Sequence, residues 1–498
     1  MALAWPGAIP MPRVHWRPLF STMTGFKRSL GLLDGVMLVA GSMIGSGIFI
    51  VSADMMRQLG SSYWVMLAWL ASGVMTVLAA LSYGELAGMM PKAGGQYVYI
   101  QRAFGKLPAF MYGWTVFTVI QTGLIAAVAV AFAKYTAVFF PVLGADNILL
   151  DLGFLKINAT QVLAIASIVL LTAFNVRGVE NGKVLQTSFT LAKLLALLAL
   201  IVLGLGVASG TGVLAANFGG GWQAQGFSQA ADGTRSWAPL YGAAIASAFG
   251  VALVGSLFSS DAWNNVTFIA GEIDRPQRNI PLSLVLGTGI VTLLYLLANI
   301  AYMALLPNDG IAHAEADRVG AAAAAVIFGN KGALIMAGLI MVSTFGCNNG
   351  IILSGGRLYY AMAQDGLFFP KAGVLNKAAV PGFALWVQCI WASLLCLSGR
   401  YGDLLEYTMF ASLLFYIVTI AGLFVLRRRE PNAERPYRTW GYPVLPALYI
   451  AGAAAFCMNL LWRKPLYTGM GLVIVALGGL VYLVRTRMAV PPRNASGT

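Results

Sequence analysis

Charge is the scarcest commodity in this 498-residue chain. Only 10% of its residues are Asp, Glu, Lys or Arg and 59% are hydrophobic, against roughly 25% charged in soluble domains. So little polar surface cannot cover a core of this size in water, which excludes an ordinary soluble globule and points to lipid as the solvent. Histidine is nearly missing, with His15 and His313 alone. The four cysteines, Cys347, Cys389, Cys396 and Cys457, lie inside apolar runs and form no CxxC pair or His/Cys cluster. A disulfide scaffold and a zinc site are thereby excluded, and neither metal nor cofactor is expected. Acidic residues number 18 against 32 basic ones, for a net charge of +14. The basic residues sit in short clusters between apolar runs, without a basic face or stacking platform, so no nucleic-acid partner is expected. Paired carboxylates, an HExxH helix and a nucleophile elbow are absent too, which argues against an enzyme.

What the chain has in abundance is apolar runs. A bilayer core takes about 20 apolar residues per helix. Candidate spans fall near 31–52, 63–90, 108–139, 157–175, 183–206, 240–270, 281–306, 332–360, 382–399, 403–426, 443–462 and 466–484. That reading predicts an all-α membrane protein of twelve transmembrane helices. The stretch Pro239–Ile269 is longer than one span requires, and its first third is expected along the outer surface. With twelve spans both termini share a side. Of the 32 Lys and Arg residues, 22 fall in the even loops and the two tails and 8 in the odd loops. The positive-inside rule then places both termini in the cytoplasm, with Arg427-Arg428-Arg429 anchoring the end of the tenth span. The first thirty residues carry no apolar run of signal-peptide length and read as a cytoplasmic tail. No Pro/Gly/Ser-rich linker separates soluble domains, so the whole of 1–498 is one transmembrane domain.

Two spans carry residues that a plain membrane anchor would not tolerate. Gly41-Ser42-Met43-Ile44-Gly45-Ser46-Gly47-Ile48-Phe49 lies midway along the first. Each glycine weakens a helix by about 1 kcal/mol relative to alanine. In hydrocarbon, unpaired backbone groups survive only where protein or a water-filled cavity surrounds them. A break here would free the N–H groups of Ser46 and Gly47 at the start of a half-helix, a site suited to a carboxylate. The carbonyl end near Met43 would suit a cation. The rival reading of the glycines is close helix packing. In the sixth span, Phe258-Ser259-Ser260-Asp261-Ala262-Trp263-Asn264-Asn265 sets polar residues and a charge inside an apolar stretch, costly in lipid unless the helix is discontinuous and lines a cavity. The first and sixth spans correspond if the chain is two five-helix repeats, and paired interruptions of this kind mark the midplane site of an inverted-repeat transporter.

These residues also carry a resemblance. With Gly45-Ser46-Gly47-Ile48-Phe49 come Pro91-Lys92-Ala93-Gly94-Gly95-Gln96-Tyr97, Ala270-Gly271-Glu272-Ile273-Asp274-Arg275-Pro276 and Arg357-Leu358-Tyr359-Tyr360-Ala361-Met362-Ala363-Gln364-Asp365-Gly366. In this order, over about Leu30 to Thr486, the sequence resembles the amino acid–polyamine–organocation superfamily, and within it the L-type amino acid exchangers and their bacterial relatives. The resemblance implies the leucine-transporter fold. Residues 31–206 would form the first inverted repeat, 240–426 the second, and 443–484 helices eleven and twelve, with tails at 1–30 and 485–498. It implies that the N–H groups of Ser46 and Gly47 hold a substrate α-carboxylate. The carbonyls of Met43, Phe258 and Asp261 would receive the α-ammonium, Phe258 would gate the site and Asn264 would border the side-chain pocket. Ile44, Gly45, Ser259 and Ser260 complete the candidate substrate-binding set.

The chain departs from its relatives at Ser260-Asp261-Ala262-Trp263, where many bacterial members read Tyr-Asp-Gly-Trp. Serine there enlarges or wets the pocket, and alanine restrains the unwound backbone. Gln96 stands where an acidic residue is common, and the sequence offers no physical account of it.

Among charged groups, Lys193 lies ten residues beyond Lys183, about 15 Å along a helix axis and so near the membrane middle. The resemblance implies that its ammonium takes the place of the cation held by sodium-coupled relatives, bracing the first helix through carbonyls and the Ser343/Thr344 region. Proton coupling through Lys193 stays open. Asp261 either selects cationic side chains or caps the broken helix over a neutral pocket. Glu85, beside Lys92, reads as half of an interfacial ion pair, while Lys134 and Glu406 lie near outer ends within reach of water. The expected function is sodium-independent exchange of small or neutral amino acids. The alternatives are proton-coupled uptake, or exchange of cationic amino acids through Asp261. Some eukaryotic relatives pair with a glycoprotein through a cysteine between helices three and four. Pro141–Lys156 contains none, so no disulfide-linked partner subunit is expected beside substrate and lipid.

Overall fold

A computed structural model describes residues 26–151, 156–229, 235–397 and 401–488. The expected tails therefore lie largely outside the described residues. The described residues are helical almost throughout. The first half runs α1 (Leu32–Met43), α2 (Val51–Leu59), α3 (Ser62–Met89), α4 (Gln96–Phe104), α5 (Lys106–Thr115), α6 (Gln121–Phe139), α7 (Ala159–Val176), α8 (Val179–Ala208) and α9 (Val213–Gly219). A π-helical stretch, Val116–Ile120, joins α5 to α6 within one apolar rod. The second half runs α10 (Ala243–Ser259), α11 (Asn265–Phe268), α12 (Pro276–Leu305), α13 (Asn308–Ala312), α14 (Val319–Phe328), α15 (Gly332–Gln364), α16 (Gly382–Leu397) and α17 (Tyr401–Arg429). Two further helices follow, α18 (Val444–Arg463) and α19 (Pro465–Met488).

Nine helical stretches among the described residues are long and apolar enough to cross a membrane. Three shorter apolar helices, Leu32–Met43, Ala243–Ser259 and Gly382–Leu397, stand at the sequence positions of the three remaining expected spans. Two of those three are short because the helix breaks. Helices suit this setting because they satisfy every backbone group within the segment. Ends are closed by local chemistry. Asn158 caps α7, accepting from the Gln161 N–H at 2.9 Å while Gln161 returns its side-chain oxygen at 3.0 Å, and left-handed Gly60 closes α2. Pro239 ends a strand, and the first third of Pro239–Ile269 holds the start of α10. A turn leads directly into α10, which runs unbroken to Ser259. Small hairpins decorate the odd loops, β1 (Ile148–Asp151) with β2 (Lys156–Asn158) and β3 (Gln225–Gln229) with β4 (Arg235–Pro239).

The two broken helices lie side by side and cross-matched, with α1 against α11 and α2 against α10. Around them, α1 packs on α8, α12 and α15. A short strap fixes the start of α1 to the end of the second break. Ser29 and Leu30 donate their N–H groups to the Glu272 carbonyl, and Asp274 donates back to Leu30 at 2.8 Å.

Candidate substrate site

The first break follows from the glycines and is held open from outside. The α1 ladder ends at Met43, Ile44 turns extended at φ −76°, ψ 94°, and a 3-10 turn covers Gly47–Phe49 before α2. The N–H groups of Ser46 and Gly47 donate to no acceptor among the described residues. The carbonyls are treated otherwise. Lys193, on α8 and 3% exposed, donates from Nζ to Gly41, to Ile44 at 2.7 Å and to Ser343 at 3.4 Å. Cys347 Sγ donates to Ser42 at 3.0 Å. The Tyr295 hydroxyl reaches Met43 at 3.1 Å, and Ser343 Oγ reaches Ile44 at 3.1 Å and Gly45 at 3.3 Å. Five consecutive carbonyls, Gly41 to Gly45, thus meet side-chain donors from α8, α12 and α15. Lysine fits the centre of this cage because its ammonium carries three donors.

The second break is built differently. The α10 ladder ends at Ser259, Ser260 shares its N–H between Ser256 and Leu257, and Asp261 donates to Phe258 at 3.2 Å. Ala262 sits at φ 63°, a left-handed conformation that favours glycine and strains alanine. Its side chains form a chain of their own. The Tyr416 hydroxyl, from α17, donates to Asp261 Oδ1 at 2.6 Å and lies 3.4 Å from Asn264 Oδ1. Asn264 Nδ2 and the Tyr112 hydroxyl both donate to Gln96 Oε1, each at 3.0 Å. Trp263 packs between Tyr83 and Tyr416, with ring centroids 4.8 and 5.3 Å away.

The breaks touch each other. A Cβ on Gly47 would lie 2.2 Å from Ser259 Oγ and 3.3 Å from Ser259 Cα, so only glycine allows this approach. The Tyr295 hydroxyl that reaches Met43 also lies 3.0 Å from the Ser259 carbonyl. Two cavities of about 20 and 10 Å³ adjoin the second break. Asp261 lines both, Asn264 the first and Ser260 the second. Met43, Ile44, Gly45, Ser46 and Gly47 line neither. Phe258 stands apart from them, on the wall of a cavity of about 250 Å³ that also includes Asp54, Asp317 and Lys464 on the odd-loop side.

The family model described as amino acid permease matches residues 30–483. The chain belongs to the amino acid permease family. Relatives of this permease include the mouse b(0,+)-type amino acid transporter 1, 28% identical over 92% of this chain and 88% of its own. The human large neutral amino acids transporter small subunit 2 is 30% identical over 92% of this chain and 80% of its own. The serine/threonine exchanger SteT of Bacillus subtilis (strain 168) is 28% identical, over 92% and 97%. These relatives are transporters, not enzymes.

The permease corrects one sequence expectation outright. Glu85 does not pair with Lys92. It is fully buried, accepts from Arg427 at 2.6 Å and from the Thr439 N–H at 2.7 Å, and is ion-paired with Arg435 at 3.1 Å. A carboxylate at zero exposure needs more than one exposed lysine to compensate its lost hydration, and two guanidinium groups supply that. Glu272 and Arg357 form a second fully buried pair at 2.9 Å on the same even-loop side. Lys134 is exposed as expected, and the Glu406 side chain lies outside the described residues. Sequence reading missed Tyr112, Tyr295, Cys347 and Tyr416 as partners of the breaks. A single tyrosine or cysteine in an apolar run carries no signal of what it will face.

Proposed function

We propose that the chain is a secondary transporter of L-amino acids that works by alternating access, exchanging small or neutral amino acids without sodium. The observation that carries this reading is the pair of interrupted helices, whose facing ends leave the Ser46 and Gly47 N–H groups unbonded at the start of a half-helix. Those two donors and the local dipole would hold the α-carboxylate. The carbonyls of Phe258 and Asp261 would receive the α-ammonium, joined by Met43 when the Tyr295 hydroxyl shifts wholly to Ser259. Ile44, Gly45, Ser259 and Ser260 would frame the main chain of the substrate, and Asn264 would border its side chain. Phe258, between the odd-loop cavity and the breaks, would gate entry.

Lys193 supports the sodium-independent part. Its ammonium already occupies a three-carbonyl cage of the kind a cation would otherwise fill, so it serves as a fixed internal cation. The relatives, two amino acid transporters and one serine/threonine exchanger by name, support amino acids as cargo. Proton-coupled uptake is the second reading, favoured by the placement of one titratable lysine at the break itself. Asp261 at the other break favours a third, exchange of cationic amino acids. The architecture that goes with the proposal is twelve spans in a cell membrane, with two inverted repeats at 31–206 and 240–426 and both termini cytoplasmic. It works without a disulfide-linked subunit, since Pro141–Lys156 carries no cysteine.

Efflux of a preloaded labelled amino acid from proteoliposomes tests the reading. Exchange requires efflux to depend on a trans amino acid and to ignore sodium. Equal efflux into bare buffer refutes exchange, and accumulation driven by a pH gradient alone selects the proton-coupled reading.

A further inference from the structure

The second break carries more information than a place for a zwitterion. Asp261 and Tyr416 are the two residues that line both small cavities. The hydroxyl of Tyr416 ties the carboxylate to α17 at 2.6 Å, and Gln96 Oε1 already accepts twice, from Tyr112 and from Asn264. Asp261 Oδ1 and Gln96 Oε1 are thus engaged. The donors are not. Gln96 Nε2, Asn265 Nδ2 and Ser412 Oγ have no hydrogen-bond partner among the described residues. All three residues line the larger cavity, and they are 0%, 2% and 2% exposed.

Buried donors without partners are costly, and three of them around one small space mark a place for a polar group. At about 20 Å³ the space suits something the size of a water oxygen. Two free N–H donors call for an acceptor, and the serine hydroxyl accommodates either role. An ammonium or guanidinium would share the wall with two unpartnered N–H donors, like polarity that disfavours it.

We propose that this cavity receives the substrate's side chain and selects a short, neutral, oxygen-bearing one. Tyr416 is the positioning residue, occupying Oδ1 of the Asp261 carboxylate on the subsite wall so that it does not serve a cationic side chain. The inference rests on the amino-acid-carrier reading above. Without the hydroxyl, the buried carboxylate loses its one side-chain donor, and a cationic side chain becomes the group that completes it.

The test uses full-length protein in liposomes loaded with labelled L-threonine, with L-threonine, its isostere L-valine and L-lysine each offered on the far side. Wild type should give threonine at least a tenfold advantage over valine, because a site built to bond a hydroxyl rejects the analogue lacking it. Lysine should drive no exchange. Tyr416→Phe should admit lysine to at least a tenth of the threonine rate, and Tyr416→Phe with Asp261→Asn should lose that gain. Valine equal to threonine overturns the subsite, and lysine still refused by active Tyr416→Phe overturns the positioning role. If Tyr416→Phe does not fold, Ser412→Ala, which removes one of the unpaired donors from the cavity wall, decides: the threonine advantage over valine should fall at least threefold, and an unchanged advantage overturns the proposal. Wild type that exchanges no amino acid sinks the carrier reading itself, and this inference with it.

Discussion

The two interruptions sit side by side yet satisfy their polar groups in opposite ways. At the first, five successive carbonyls meet donors from three surrounding helices, and Lys193 alone contacts two of them. What remains free of the main chain there is N–H, beside the unpaired Ser42 Oγ. At the second, the partners are side chains, Tyr416, Gln96 and Tyr112, and three neighbouring polar atoms are unpaired. The first break is a rigid main-chain fixture braced on its carbonyl side. The second is a side-chain network with bonding capacity to spare. The first is thus suited to what all amino acids share, and the second to what distinguishes them.

Variants that strip one break and leave the other intact sharpen this contrast. The largest effect is expected for Ser46→Pro. Ser46 lies at φ −81°, within proline's range, so the change removes a donor N–H with little distortion. Binding measured by isothermal titration should fall beyond detection, with Ser46→Ala losing far less. Next comes Lys193→Ala, which strips the cage of its central donor and leaves buried carbonyls unsatisfied at about 1–3 kcal/mol each. Exchange rate should drop by more than tenfold while the binding constant moves by less, since the lysine touches the helix and not the substrate. Wild-type kinetics across pH in this variant would refute the role given to Lys193. Tyr295→Phe loosens the one hydroxyl shared between the breaks and should cost about 1 kcal/mol, read as a roughly fivefold weaker apparent affinity. Smallest is Ala262→Gly, which relieves a left-handed alanine. Thermal unfolding in detergent should show stabilisation of about 1 kcal/mol, with exchange rising or unchanged.

Much of this contrast was legible in the sequence, though not all of it for the reason first given. The break at Ile44–Ser46 was marked by glycines and the one at Ser260–Asn264 by polar residues in an apolar run, and both are where the pattern put them. The rival reading of the glycines also holds in part. A Cβ on Gly41 would lie 2.2 Å from Thr190 Oγ1, and Gly47 is pressed on Ser259, so these two serve close packing while the chain opens between them. The depth of Lys193 announced a role because a lysine ten residues into a span has no water to reach. Glu85 misled because its guanidinium partners lie 342 and 350 positions away in sequence, whereas Lys92 is only seven. Gln96 gained its explanation only from the fold, which sets it between Tyr112 and Asn264. Tyrosines at 295 and 416 were invisible as site residues, since an aromatic hydroxyl in an apolar helix becomes informative only when its neighbour across the bundle is known.

The central claim is that free main-chain N–H groups at the first break hold a carboxylate. Its most direct measurement compares a neutral amino acid that drives exchange with its methyl ester, as competitors for binding to the purified protein. The ester keeps the ammonium and the side chain but removes the charge that the half-helix terminus favours. At least a hundredfold weaker competition by the ester is predicted. Equal competition by acid and ester would contradict the account.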